Sequence, residues 1–187
     1  MESLSQPKKE FTKIGMVARW QPVHLGHFAI LQAMIRKSEH VIIGIGSSNT
    51  YNYRCPFTLA ERQTMLELVL KPYKNYTIIP IPDLNDGPRW RIMVNQLFGE
   101  LDYFVTANPY VAKLMEKDYA LLHPVDLLLS EDKVKINGEM VRKAMAKGEK
   151  WENMVPEEVR LFIQNNHLDE RFRLTFGLET LALDTII

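Results

Sequence analysis

Ile14-Gly15-Met16-Val17-Ala18-Arg19-Trp20-Gln21-Pro22-Val23-His24-Leu25-Gly26-His27-Phe28 is the stretch that decides the fold. Its first five residues form an apolar run that predicts a strand. Arg19 to Pro22 breaks the run, and Phe28, Leu31 and Ile35 then share one face of a helix. The same order recurs down the chain. Val41 to Ile45 is a compact β-branched run, a buried strand that opens at Gly46-Ser47-Ser48-Asn49 into a polar loop reaching Pro56. Thr58-Leu59-Ala60-Glu61 fits a capping box: the Thr hydroxyl accepts from the amide three residues on and Glu61 reaches back, so a helix is expected as far as Leu70.

Tyr76 to Ile81 predicts a third strand, and Pro88 to Phe98 places Trp90, Val94, Leu97 and Phe98 at helical spacing. Tyr103 to Thr106 reads as a fourth strand, Asn108-Pro109 caps and starts another helix, and Tyr119 to His123 reads as a short fifth strand. Alternation at this spacing implies parallel strands joined by right-handed crossovers, hence an α/β fold with a doubly wound parallel sheet. Beyond it, Asn137-Gly138 and Pro156-Glu157-Glu158 each open a C-terminal helix that would close the sheet. Residues 14–167 are read as one domain, 1–13 as a polar, disordered leader and 168–187 as a C-terminal tail. Leu174 to Ile187 is apolar-rich without a clean period, and is expected to bury against a neighbouring subunit of a homo-oligomer.

Composition bounds the function. A chain of 187 residues, 46% hydrophobic and 25% charged, is an ordinary globular domain. Lys plus Arg number 23 and so do Asp plus Glu, which argues against generic adhesion to nucleic acid or to an anionic membrane. Any cationic site must be local. Cys55 is the only cysteine, so neither an intrachain disulfide nor a zinc-thiolate cluster can form, and a reducing, cytoplasmic setting is expected. No run approaches the roughly 20 apolar residues of a spanning helix, and the N-terminus lacks the apolar segment of a signal peptide.

In doubly wound folds ligands bind at the carboxyl ends of the strands, which directs attention to the loops after Ala18, Gly46, Ile81 and Thr106. The first of these holds His24-Leu25-Gly26-His27 at a helix start, so both imidazoles share a face, with Gly26 leaving room between them. Helix-terminal amides favour an anion, imidazoles add donors, and Arg19 lies just upstream; a phosphate fits this arrangement. Other uses of the pair fit less well. Zinc would need further ligands, yet there is no His-Glu-x-x-His and His40, His123 and His167 stand in unrelated contexts. Simple structural capping explains one histidine better than two around a glycine. A dinucleotide fingerprint is missing after the first strand, and Gly44-Ile45-Gly46 lies at the end of the second.

Arg19-Trp20-Gln21-Pro22-Val23-His24-Leu25-Gly26-His27 resembles the signature of the H-x-G-H nucleotidyltransferase superfamily, and its Arg-aromatic-Gln-Pro lead-in resembles the archaeal-type nicotinamide mononucleotide adenylyltransferases. Pro56-Phe57-Thr58-Leu59-Ala60-Glu61-Arg62, Pro80-Ile81-Pro82-Asp83 with Trp90, Asn108-Pro109 and Gly148-Glu149-Lys150-Trp151 are similar to that family in order and spacing, from Ile14 to Asn165. The resemblance implies a Rossmann-like nucleotidyltransferase fold. It also implies transfer of AMP from ATP to nicotinamide or nicotinate mononucleotide, forming NAD or its acid form and pyrophosphate by direct in-line attack. On that reading His24, His27 and Arg142 are catalytic. Arg19, Trp20, Gln21, Gly26, Arg54, Asn137 and Gly138 hold ATP, and Asp83, Trp90 and Asn108 border the acceptor. Mg²⁺ is expected mainly through the ATP phosphates, with no protein metal site. Trp90 read on its own residues is equally a core aromatic, Arg142 with Lys143 equally a solvated helix face, and Arg62 a surface ion-pair former.

The second signature of the family normally reads Ser-Gly-Thr-x-x-Arg, where this chain has Asn137-Gly138-Glu139-Met140-Val141-Arg142. Asn can cap as Ser does, but a carboxylate beside a triphosphate repels it unless it points away or pairs, so Glu139 is expected to face solvent or a cation such as Lys143 or Lys135. Two alternatives stay open: a nucleotidyltransferase using another phosphorylated acceptor or CTP, and an inactive nucleotide-binding regulator.

Overall fold

The computed structural model describes residues 9–182; most of the expected leader and the last five residues of the tail lie outside them. Five strands form one parallel sheet: β1 (Phe11–Ala18), β2 (Ser38–Gly46), β3 (Tyr76–Ile81), β4 (Tyr103–Val105) and β5 (Leu121–Leu122), in the order β3-β2-β1-β4-β5. The crossovers carry α1 (Leu25–Lys37), α2 (Leu59–Leu70), α3 (Gly87–Phe98) and α4 (Pro109–Met115). After β5 come α5 (Gly138–Lys147), α6 (Glu157–Asn165) and α7 (Leu168–Ala182). The sheet therefore has the doubly wound order, and its winding reverses between β1 and β4, which opens a crevice at their carboxyl ends.

β2 shows how the pleat divides the core. Val41, Ile43 and Ile45 enter the larger apolar cluster with Leu31, Met65, Val141, Val159 and Phe172, whereas Ile42 enters a smaller one with Val94, Phe98 and Met115. Helices thus cover both faces. α2 begins with the expected capping box: Glu61 N–H donates to Thr58 Oγ1 at 3.3 Å and Thr58 N–H to Glu61 Oε2 at 2.9 Å.

Two regions differ from the sequence reading. β1 starts at Phe11 within the expected leader, because Asp102 Oδ2 accepts from the amides of Thr12 and Lys13 at 2.6 and 2.9 Å and extends the edge. The tail is also largely helical. In α7 Leu168, Phe172, Gly177 and Thr180 face inward against the body, while Leu174 and Leu178 stay 88% and 86% exposed. Among the described residues no helix is long and apolar enough to cross a membrane.

Candidate active site

α1 starts at the carboxyl end of β1, and His24 is its N-cap: Nδ1 accepts the backbone N–H of His27 at 3.2 Å. Accepting at Nδ1 puts the His24 proton on Nε2, so the ring's other nitrogen is a donor. The two imidazoles stack at 3.7 Å between centroids, and Trp20 backs His27 at 4.6 Å. Burial, with the charge of Arg142 second, lowers the His24 pKa from 6.5 to about 4. His27 is also held well below 6.5, by burial and then by His24, with the Pro22 carbonyl opposing. Both rings are neutral at pH 7, so His24, with its proton on Nε2, can meet an anion as an N–H donor and not as a cation, and His27 can do so when its proton sits on the nitrogen turned away from Pro22.

The facing wall is the start of α5. Asn137 caps it, its Oδ1 accepting from Met140 N–H at 2.9 Å, which leaves the helix amides aimed toward the cleft. Arg142, one turn on, donates from Nη1 to the carbonyl of Gln21 at 2.7 Å and so joins α5 to the loop that carries the histidines. Two glycines let these walls meet. A Cβ at Gly26 would lie 2.6 Å from the Ile136 carbonyl oxygen, and one at Gly138 2.9 Å from the Gln21 carbonyl oxygen. The room at Gly26 is thus for the neighbouring backbone, and the imidazoles themselves are in contact.

The resulting cleft, about 300 Å³, is lined by His24, His27, Arg19, Asn137, Gly138 and Arg142, together with Trp20, Gln21 and Glu139. The Arg142 guanidinium is pushed below its ordinary range by burial, then by Arg19, with Arg54 adding to the effect; it stays charged, so cations are concentrated here. Arg54 is exposed and lies over the Tyr53 ring at 5.3 Å. Glu139 pairs with Lys143 at 2.7 Å, and its side chain is mostly exposed, as the sequence reading expects.

Trp20 and Gln21 line the cleft as expected, with their side chains bonded to the protein itself. Trp20 has no exposed surface and donates from Nε1 to the Gly44 carbonyl at 2.9 Å; Gln21 spans the backbone N–H and C=O of Phe57, each at 2.9 Å. Both side chains build the wall and are already hydrogen-bonded. Gly26 likewise permits the packing of the walls. Asp83, Trp90 and Asn108 are not brought into this cleft. Asp83, past β3, is tied to Asn49, whose Oδ1 accepts its N–H at 2.8 Å; Trp90 packs against the smaller core cluster; and Asn108 caps α4. All three nevertheless stand at or just beyond the carboxyl ends of β3 and β4, the edge that holds the cleft.

Arg62 corrects the surface reading. It is 0% exposed and donates to the carbonyls of Arg19 at 3.0 Å, Gly46 at 2.7 Å and Ser47 at 3.1 Å, and more weakly to Thr58. Burying a guanidinium costs several kcal/mol, roughly what a few charge-assisted hydrogen bonds of about 1.5–3 kcal/mol each recover. Its reward is geometric: one side chain ties the carboxyl ends of β1 and β2 to the start of α2. The signal was its place on the stripe Arg62, Met65, Leu66, Val69, all buried in α2.

A larger hollow, about 900 Å³, lies at the opposite, amino ends of the strands beside Lys13, His40, Asp102 and Tyr119. Three of its polar groups are bonded within the protein: Lys13 Nζ donates to the Phe98 carbonyl, Tyr119 Oη to the Gly99 carbonyl, and Asp102 holds β1. Volume alone does not make it the site. Among the described residues no group of three or more His, Cys, Asp or Glu side chains could hold a metal ion.

Residues 16–173 match the cytidylyltransferase-like family. The chain is 40% identical over 147 residues to a nicotinamide-nucleotide adenylyltransferase of Methanococcus vannielii, covering 77% of this chain and 83% of that one. A Thermococcus onnurineus protein of the same name is 35% identical over 163 residues, covering 84% and 85%. A solved bifunctional NMN adenylyltransferase/ADP ribose pyrophosphatase from Francisella tularensis superposes with a TM-score of 0.69 at 16% identity, over 88% of this chain and 53% of that one. This chain spans about half the length of the Francisella protein, and the likeness at that identity is one of fold. A structure of such a Francisella protein with AMP and a manganese ion superposes with a TM-score of 0.64 at 18% identity, over 88% of this chain and 52% of that one.

Proposed function

This chain belongs to the cytidylyltransferase-like family, alongside nicotinamide-nucleotide adenylyltransferases, and we propose that it transfers AMP from ATP to nicotinamide or nicotinate mononucleotide. The observation that carries the proposal is the cleft in which two neutral imidazoles, the start of α5 and Arg142 converge at the carboxyl end of β1. An oxygen of the acceptor's 5′-phosphate bonds to the α-phosphorus of ATP as the bond from that phosphorus to the β-bridging oxygen breaks. The products are a dinucleotide and pyrophosphate. No covalent enzyme intermediate is needed, so the protein's part is alignment and charge stabilisation.

His24 and His27 would donate to the oxygens around the α-phosphorus, and Arg142, with Arg19 and Arg54 nearby, would hold the β- and γ-phosphates. Asn137 and Gly138 would offer the first amides of α5, and Asp83, Trp90 and Asn108 would border the acceptor farther along the same edge. A divalent metal, Mg²⁺ in this proposal, would arrive with the triphosphate and neutralise part of its charge; the described residues provide no cluster for it, and none of the steps above depends on one. The reaction suits a cytoplasmic protein.

Pyrophosphate release with a panel of mononucleotides and nucleoside triphosphates tests the proposal. ATP with nicotinamide or nicotinate mononucleotide is expected to react, and His27→Ala to lower kcat by about 10²–10³. Release only with CTP would overturn the adenylyl assignment, and no release from any pair would leave a regulator.

A further inference from the structure

α7 touches both α5, which carries Arg142, and the loop that carries Arg54. On one side, Arg171 donates to the two carboxylate oxygens of Glu61 at 2.5 and 2.8 Å and to the Pro56 carbonyl at 3.0 Å. On the same side Phe176 meets the Tyr51 ring edge-on at 5.2 Å, and the Arg171 guanidinium lies 6.0 Å from that ring. Arg54 sits between Tyr51 and Pro56, so its loop is gripped on both flanks. On the other side, Arg173 Nε donates to the Met145 carbonyl at 3.1 Å, three residues beyond Arg142 on α5. Phe172 anchors the helix between these grips, 1% exposed in the main core.

We propose that α7 is a brace that sets the position of Arg54 relative to Arg142, and that Arg171 is its positioning residue. The inference rests on the reading of the cleft as an ATP site. Tyr51 and Arg54 are exposed; apart from the grip of α7 the loop is held by a turn at Asn52, by bonds from Asn49 and Thr50 to Asp83, and by the buried residues 55–57 that follow Arg54. A loop ordered in advance does not draw its ordering entropy from ligand binding. A bidentate arginine supplies that order with fixed geometry, which lysine lacks. Loss of the brace therefore weakens ATP binding first and reaches the acceptor half less, through the tie of Asn49 and Thr50 to Asp83.

The test compares Arg171→Ala, Arg171→Lys, Glu61→Gln and Phe176→Ala with the wild-type chain. The readouts are ATP affinity by calorimetry, the KM for each substrate, kcat, and hydrogen exchange over residues 47–57. Arg171→Ala is expected to weaken ATP about fivefold to tenfold, with kcat within threefold, acceptor KM raised less than twofold and faster exchange in the loop. Arg171→Lys should recover part of the loss, and Arg171→Ala combined with Glu61→Gln should be no weaker than the worse single variant. Phe176→Ala loosens the same loop without touching the ion pair and decides the matter if Arg171→Ala does not fold. ATP affinity within 1.5-fold of wild type in folded Arg171→Ala or Phe176→Ala, or equal losses for both substrates, would overturn the brace. Wild-type turnover reports on the function alone, whereas variant ATP affinity reports on the brace; a wild-type chain that turns over no substrate yet binds ATP less well as Arg171→Ala fails the first and keeps the second.

Discussion

The two edges of one sheet differ in what their polar groups are left to do. At the amino edge the hollow is three times larger, about 900 against 300 Å³, yet Asp102, Lys13 and Tyr119 are bonded to backbone, and Asp118 pairs with Arg91 at 2.7 Å. At the carboxyl edge Arg142 directs one of its donors to Gln21, His24 keeps a donor at Nε2, and the amides of α5 face the cleft. The first edge holds the fold together; the second keeps hydrogen-bonding capacity for a ligand. Unmet donor capacity, and not volume, separates a site from a hollow.

Substitutions at matched places would break this comparison. Arg142→Ala is expected to lower kcat/KM for ATP by about 10²-fold, near the upper range for one lost charge-assisted contact. Asp102→Ala at the amino edge should leave kcat/KM within twofold and lower the urea-unfolding free energy by about 1–3 kcal/mol, since two strand amides lose their acceptor. Equal kinetic losses at both edges would dissolve the distinction.

The histidines allow a second test. His24 has a folded pKa of about 4 against 6.5 unfolded, so the native state binds fewer protons below pH 6.5. Its stabilising contribution is complete above pH 6.5 and is lost as pH falls toward 4, about 2 kcal/mol by pH 5. His27, stacked on His24 and also held below its ordinary value, acts in the same direction. Urea unfolding at pH 7.5 and 5.0 should show this loss, reduced in His24→Gln; an unchanged loss in that variant would assign it elsewhere.

The smallest effects concern two exposed features, Glu139 and the outer leucines of α7. Glu139→Thr should change ATP affinity by less than about tenfold, or 1.4 kcal/mol, because the carboxylate is mostly in water and paired with Lys143. A larger gain in affinity would make Glu139 an electrostatic burden. Leu174 and Leu178 keep the homo-oligomer proposal alive, and Leu174→Ser with Leu178→Ser should lower the molar mass seen by light scattering if a second subunit covers them.

What could be read in the sequence was local. The capping box at Thr58 and Glu61, the Asn137 and Asn108 caps and the His24-to-His27 turn each join residues two or three apart, so spacing alone reveals them. The strand and helix order follows in the same way, because side-chain period is set within a few residues. The side-chain bonds of Trp20 and Gln21 and the burial of Arg62 were not legible for the opposite reason. Their partners lie 24, 36 and 15 to 43 residues away, and whether an arginine faces a phosphate or a ring of carbonyls depends on which strand ends surround it. α7 carried no clean period because its faces meet different neighbours: the core, α5, the Tyr51 loop and solvent.

The sequence by itself determined an alternating α/β chain, a helix-capping turn at His24-Leu25-Gly26-His27 at the carboxyl end of β1, and that any cationic site in a neutral protein is local. Only the tertiary structure decided which polar groups remain available. It joined Arg142 to Gln21 across 121 residues, buried Arg62 beneath the strand ends and set Arg171 against Pro56 and Glu61, more than a hundred residues away. A hydrogen bond within a turn is specified by the residues of that turn, whereas one between distant segments exists only after the core has brought their backbones together.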